Sequence, residues 1–172
     1  MNDLRILDTD HLSLMQRGNP FIIQRLNKFN PQNIAITIIT ATEQLVGRLN
    51  VLNRATSSND LVLAYARLKD TLEDLNNLNV LAFSHDAGNI YAELVKQKIR
   101  IGTQDLRIAA ITLSVNGILV TCNRKDFEKV PNLRLEDWTI SQDDSVQAKT
   151  PLSKQTFLRK RQGRKGTEGR NA

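Results

Sequence analysis

The 172-residue chain has one cysteine, two histidines, one tryptophan and only 5% aromatic residues. A single cysteine excludes a disulfide framework and any zinc site built from several thiolates. No apolar run approaches the roughly 20 residues that a membrane-spanning helix needs; IAITII at 34–39 falls far short. The opening residues, MNDLRILD, lack a basic segment followed by an apolar one. No secretory signal is therefore expected, and the default compartment is reducing and cytoplasmic. Hydrophobic residues at 40% and charged residues at 24% exclude wholesale disorder. One domain is expected at this length, with a core hiding roughly 70% of the surface of the unfolded chain.

The net charge of +6 is unevenly placed. Residues 149–172 carry eight Lys/Arg against one acid, Glu168, a net of +7, whereas residues 1–148 carry sixteen against seventeen, a net of −1. Of the 46 Leu, Ile and Val residues, 43 lie within 1–140. The pattern predicts a near-neutral globular domain over 1–140 and a basic tail over 141–172. Such a tail holds too little apolar surface to fold alone. Arg159, Lys160, Arg161, Arg164 and Lys165 are candidate contacts to nucleic-acid phosphates, because Lys and Arg displace condensed counterions. The alternative is a solvated extension that aids solubility.

Short apolar segments alternate with helical ones. Strands are predicted at 4–8, 33–39, 79–83, 118–121 and 133–135, the second β-branched and apolar enough to be fully buried. Helices are predicted at 10–17, 20–29, 41–54, 59–77, 85–98 and 104–115. Ser58, Ser84 and Thr103 are the expected N-caps, and Asn116-Gly117 is the expected stop of the last helix. This alternation means an α/β fold with a parallel sheet, in which chemistry sits at the carboxyl ends of the strands.

Acids fall at those ends. Asp8 closes the first strand, and Glu43 is expected in the first turn of the helix after the second. Asp105 starts the helix after residue 103, and Asn123 and Asp126 follow the fourth strand. In a parallel sheet these converge at one edge, where clustered carboxylates repel each other and raise one another's pKa. Hard Mg²⁺ or Mn²⁺ relieves that repulsion and can activate water beside a phosphate. Each acid also has a plain structural reading, as a cap or as a first-turn acid favoured by the helix dipole. Asp10 reads either as a further ligand or, preferably, as the first-turn acid of the next helix. Thr9, Thr40 and Thr121 either orient these carboxylates or cap backbone.

LDTDHLSLMQRG at 7–18, ITIITATEQLVGRL at 36–49 and GTQDLRIAAITLSVNGILVTCNRKDFEKVPNLRLEDW at 102–138 resemble PIN-domain proteins of the VapC toxin type. The resemblance runs in order through residues 4–139. It implies a PIN-like three-layer α/β fold, with a central parallel sheet of about five strands flanked by helices. It also implies a metal-dependent ribonuclease that hydrolyses RNA with Mg²⁺ (or Mn²⁺), usually a homodimer, restrained as a toxin by a cognate antitoxin. Asp8, Glu43 and Asp105 match the acidic site of the family. The fourth position falls to Asn123 or to Asp126, and the basic tail lies outside the resemblance.

The other candidates read more simply. His11 reads as a helix-surface or packing residue rather than a substrate contact, and His85 as structural. Cys122 reads as a small buried residue with nothing to activate it. Arg17, Arg48 and Arg107 are either solvated or line an RNA path, and Trp138 is expected to cover the edge of the core. Two competing functions remain. One is a catalytically silent PIN-like RNA-binding module. The other is a haloacid-dehalogenase-like phosphatase with Asp8 as nucleophile and Asp10 as acid, for which Asp143-Asp144 lack the required preceding strand.

Overall fold

The computed structural model describes residues 3–139. The basic segment and its five candidate phosphate contacts lie outside the described residues. Five short strands form one all-parallel sheet: β1 (Arg5–Leu7), β2 (Ile34–Thr37), β3 (Asn79–Leu81), β4 (Ile118–Val120) and β5 (Arg134–Glu136). Their order is β3-β2-β1-β4-β5, with β1 at the centre. Seven helices connect them: α1 (Thr9–Gln16), α2 (Pro20–Leu26), α3 (Ile38–Asn53), α4 (Ser58–Asn76), α5 (His85–Lys96), α6 (Thr103–Ser114) and α7 (Arg124–Phe127). None of the helices among the described residues is long and apolar enough to cross a membrane.

Side chains alternate across the sheet and divide the core in two. Leu7, Ile34, Ile36 and Val120 face Leu12, Met15, Ile22, Leu26 and Leu75 on one side. Ile6, Ala35 and Leu119 face Leu94, Ile108, Ala109 and Phe127 on the other. The sheet is therefore covered on both faces, as parallel sheets require, and the predicted three layers are present.

Boundaries moved where caps outcompete β-branched residues. The strand predicted to reach residue 39 ends at Thr37, whose hydroxyl accepts the Thr40 amide at 3.0 Å and starts α3. Ile38 and Ile39 thus begin a helix despite their strand propensity, since an N-cap bond satisfies an otherwise orphaned amide. The cap of α4 is Ser57 rather than Ser58. Gly102 rather than Thr103 precedes α6, with no side-chain cap. Asn116-Gly117 does end α6: Asn116 adopts φ 48°, and the Gly117 amide donates to the Thr112 carbonyl at 2.9 Å. Gly117 also lies against β1, where a Cβ would run into the Ile6 side chain.

The α3–α4 hairpin is only partly covered. Ala64 and Leu75 are buried, but Leu49, Leu61, Tyr65 and Leu72 are exposed. Trp138 behaves as predicted: it is buried and stacks on Phe29 with ring centroids 5.5 Å apart.

Candidate active site

Parallel pairing brings the carboxyl ends of all five strands to one edge. The Asp8 amide donates to the Val120 carbonyl, and the Thr121 amide to that of Glu136. The residues following β1, β4 and β5 are thus laced side by side.

Asp8 is nearly buried and caps α1. Its Oδ1 accepts the His11 amide at 2.8 Å and lies 3.1 Å from His11 Nδ1. The cap reading and the functional reading of Asp8 are compatible, because the two oxygens can divide the work. All of these bonds fall on Oδ1, and Oδ2 enters none of them.

Glu43 lies in the second turn of α3, not the first, because the helix begins early at Ile38. The favourable end of the helix dipole is correspondingly more distant from it. Its carboxylate is held instead by the Thr9 hydroxyl. Thr9 is thus the threonine that orients an acid. Thr40 bonds Thr37, and the Thr121 hydroxyl accepts the Asn123 amide.

Asp105 sits in the first turn of α6 and folds back over Gly102. Burial raises its pKa above the ordinary value, and Glu43, Asp126, Asp8 and Asp10 push it further. Four carboxylates acting on one half-buried acid is the electrostatic signature of convergence.

Asp126 is differently placed. It pairs with Lys129 at 2.6 Å and accepts the Asn123 side-chain amide at 3.3 Å. Lys129 first, then Asn123, hold its carboxyl below the ordinary range. Both candidates for the fourth position thus bind each other, at the start of the short helix α7. Asp10 is the first-turn acid of α1, as preferred, and is exposed.

The structure corrects one expectation and narrows another. Cys122 is exposed rather than buried, with its thiol 3.8 Å from the Asp10 carboxylate. Desolvation of its partly covered sulfur, then Asp8, Asp10 and Asp137, raise its pKa, so it remains an unreactive thiol. Of the two readings of His11, the helix surface is excluded and packing holds: it is fully buried, and it is also bonded to Asp8. Spacing alone could have flagged it, since Asp8 and His11 stand three apart across a helix start. Its second partner, Trp138, is remote in sequence.

Beside Glu43 a cleft of about 390 Å³ opens between α1 and α3, lined by Thr9, Ser13, Gln16, Arg17, Gln44 and Arg48. Arg48 is braced by Thr71 at 2.9 Å. Arg107 lies elsewhere, bonded to Gln104 and set over the Tyr91 ring.

Among the described residues, no group of three or more His, Cys, Asp or Glu stands close enough to hold a metal ion as placed. The donors nevertheless fit a hard divalent cation. They are carboxylates on separate elements, and the charges that act on Asp105 are all negative. Mg²⁺ commonly uses only one or two carboxylates, with water and substrate phosphate as its other ligands.

No family model matches the chain. Ribonuclease VapC2 of Haemophilus influenzae is 35% identical over 136 residues, covering 77% of this chain and 96% of that protein. The chain belongs to the VapC family of PIN-domain ribonucleases. A second VapC relative, the tRNA(fMet)-specific endonuclease VapC of Salmonella typhimurium, is 28% identical over 138 residues, 77% of this chain and 96% of its own. The VapBC-1 structure from nontypeable Haemophilus influenzae superposes with a TM-score of 0.61 at 27% identity, covering 80% of this chain and 99% of that one. The VapC fold therefore coincides with the expectation drawn from residues 4–139.

Proposed function

We propose that this VapC-family chain is a metal-dependent endoribonuclease, the toxin of a toxin–antitoxin pair, with its site at the carboxyl edge of the sheet. The observation that carries the reading is Asp105: a half-buried acid pressed by Glu43, Asp126, Asp8 and Asp10. A pocket so charged favours a cation, and a cation there can meet a phosphodiester. The endonuclease activity named for the Salmonella relative and the VapBC pairing of the Haemophilus structure support the RNA substrate and the antitoxin partner.

Asp8, Asp105 and Glu43 would hold Mg²⁺ or Mn²⁺, directly or through water, with Asn123 or Asp126 completing the set. The ion, when bound, lowers the pKa of water and stabilises charge developing on phosphorus oxygens. The protein supplies the positioning. Asp8 is fixed through Oδ1 while Oδ2 remains available, and Thr9 holds Glu43. The first turn of α6 places Asp105 beside orphan amides that favour a phosphate. Arg17 and Arg48, in the cleft beside Glu43, would neutralise phosphates of the strand on its way to the acids. No thiol or imidazole nucleophile is needed.

The test is cleavage of total RNA by the purified chain in Mg²⁺ or Mn²⁺, with and without EDTA, against Asp8→Asn. Cleavage is expected to stop in EDTA and in the variant. Cleavage by Asp8→Asn in metal-free buffer would overturn the proposal.

A further inference from the structure

His11 is fully buried, and both of its ring nitrogens face polar groups. Nδ1 lies 3.1 Å from Asp8 Oδ1. Nε2 accepts the backbone amide of Trp138 at 3.3 Å, and Asp137 Oδ1 lies 3.7 Å away, beyond hydrogen-bond range. A backbone amide always carries its hydrogen, so Nε2 facing it must offer a lone pair. An imidazole that faces a donor at one nitrogen and a carboxylate at the other carries its single hydrogen on the second.

We infer that His11 is a positioning residue for Asp8: an imidazole with its hydrogen on Nδ1 that donates to Oδ1 and so leaves Oδ2 directed to the proposed cation. The assignment rests on the proposed role of Asp8, and it reaches further than capping. The His11 amide already holds Oδ1 as the α1 cap. The ring adds a second donor to the same oxygen and links it to the segment after β5, 127 residues away in sequence. That segment is held by its own contacts. The Trp138 ring stacks on Phe29, and its Nε1 donates to Glu136 at 2.8 Å. Glu136 pairs with Arg5 at 3.1 Å, and the Arg5 guanidinium lies 3.9 Å from the centre of the Phe29 ring. The edge strand β5 thus fixes the rotamer of an acid that follows the central strand β1. Hydrogen-bond partners behind metal-ligating carboxylates typically affect metal affinity or activity by about 10–100-fold.

Two measurements on the full chain test this. The first is ¹⁵N NMR of the two histidines in the metal-free protein, with His85→Gln assigning the exposed one. His11 should show hydrogen on Nδ1 and a bare Nε2; hydrogen on Nε2 would overturn the inference. The second compares His11→Asn with His11→Gln. The Asn amide nitrogen can take the place of Nδ1 and still donate to Asp8, whereas Gln reaches toward Nε2 and leaves Oδ1 without its second donor. Mn²⁺ affinity, read by EPR titration of the free ion without RNA, should fall about 10–100-fold in His11→Gln and by less than about tenfold in His11→Asn. In cleavage assays kcat should follow the same order while KM for RNA holds. Equal losses in the two variants would reduce His11 to core filling. A wild type that cleaves no RNA, yet shows the Nδ1 hydrogen and the Asn rescue, would overturn the ribonuclease proposal and leave this one standing.

Discussion

Asp8 and Asp105 stand at the same edge of one sheet, but their surroundings are opposite. Asp8 is nearly buried, and one of its oxygens receives an amide and an imidazole. Asp105 is half-buried and folded back over Gly102, and the groups that act on it are acids. Asp126 is a third case, paired with Lys129. Neighbouring carboxylates of one candidate site are thus locked, strained by repulsion, and neutralised. The locked acid can supply a fixed direction, and the strained one supplies the need for a cation.

The comparison breaks most sharply at Asp8. Asp8→Asn should abolish RNA cleavage, with kcat down by at least about 10²–10³-fold, the usual cost of removing one key transition-state interaction. Its melting temperature should change little, since Asn is as good an N-cap as Asp. Asp8→Ala should add about 1 kcal/mol of destabilisation by removing the cap. A folded, fully active Asp8→Asn protein would show that the locked acid is only a cap.

Asp105→Asn should show the reverse balance: inactive, yet more stable than wild type without metal. The gain in melting temperature is on the order of 2–4 °C, the shift brought by a 1 kcal/mol change in a chain of this size; solvent screening keeps it small. The folded state raises the pKa of Asp105 above its ordinary 3.8. Between those two values the folded chain therefore holds the extra proton. Stability of the metal-free protein should fall as pH rises through that window. Thermal melts across pH should show the fall in wild type and lose that component in Asp105→Asn, while added Mg²⁺ should close the gap between the two at neutral pH.

Lys129→Met sharpens the third case. It frees Asp126 from its ion pair, which should raise the Asp126 carboxyl toward its ordinary range. Tighter Mn²⁺ binding, by up to about tenfold, would assign the fourth position to Asp126; unchanged binding would assign it to Asn123. The smallest effect concerns residues 149–172. Their removal should flatten the salt dependence of RNA binding, by about 0.7 in log-log slope for each single-strand phosphate that they neutralise, with metal-dependent cleavage kept. An unchanged slope would return that segment to a solubility role.

Much of this was legible in the sequence. Five short apolar segments specified a parallel sheet, because the first three were each followed by a predicted helix start and the fourth was preceded by a buried helix. The same logic put Asp8 at a strand end and Asp105 in the first turn of a helix. Local competition was harder to read. Ile38 and Ile39 look like strand, yet the Thr37 cap draws them into α3 and carries Glu43 into its second turn.

By itself, then, the sequence determined the layer architecture, the carboxylates at the sheet edge and the stop at Asn116-Gly117. These follow from hydrophobic period, capping chemistry and backbone sterics, all of which act over a few residues. Only the tertiary structure decided the strand order, the pairing of Asp126 with Lys129 and the buried bridge from Asp8 through His11 to Trp138. That last bond joins residues 127 apart. No local rule can anticipate it, because it exists only once β5 has docked beside β4 and brought its end across the first turn of α1.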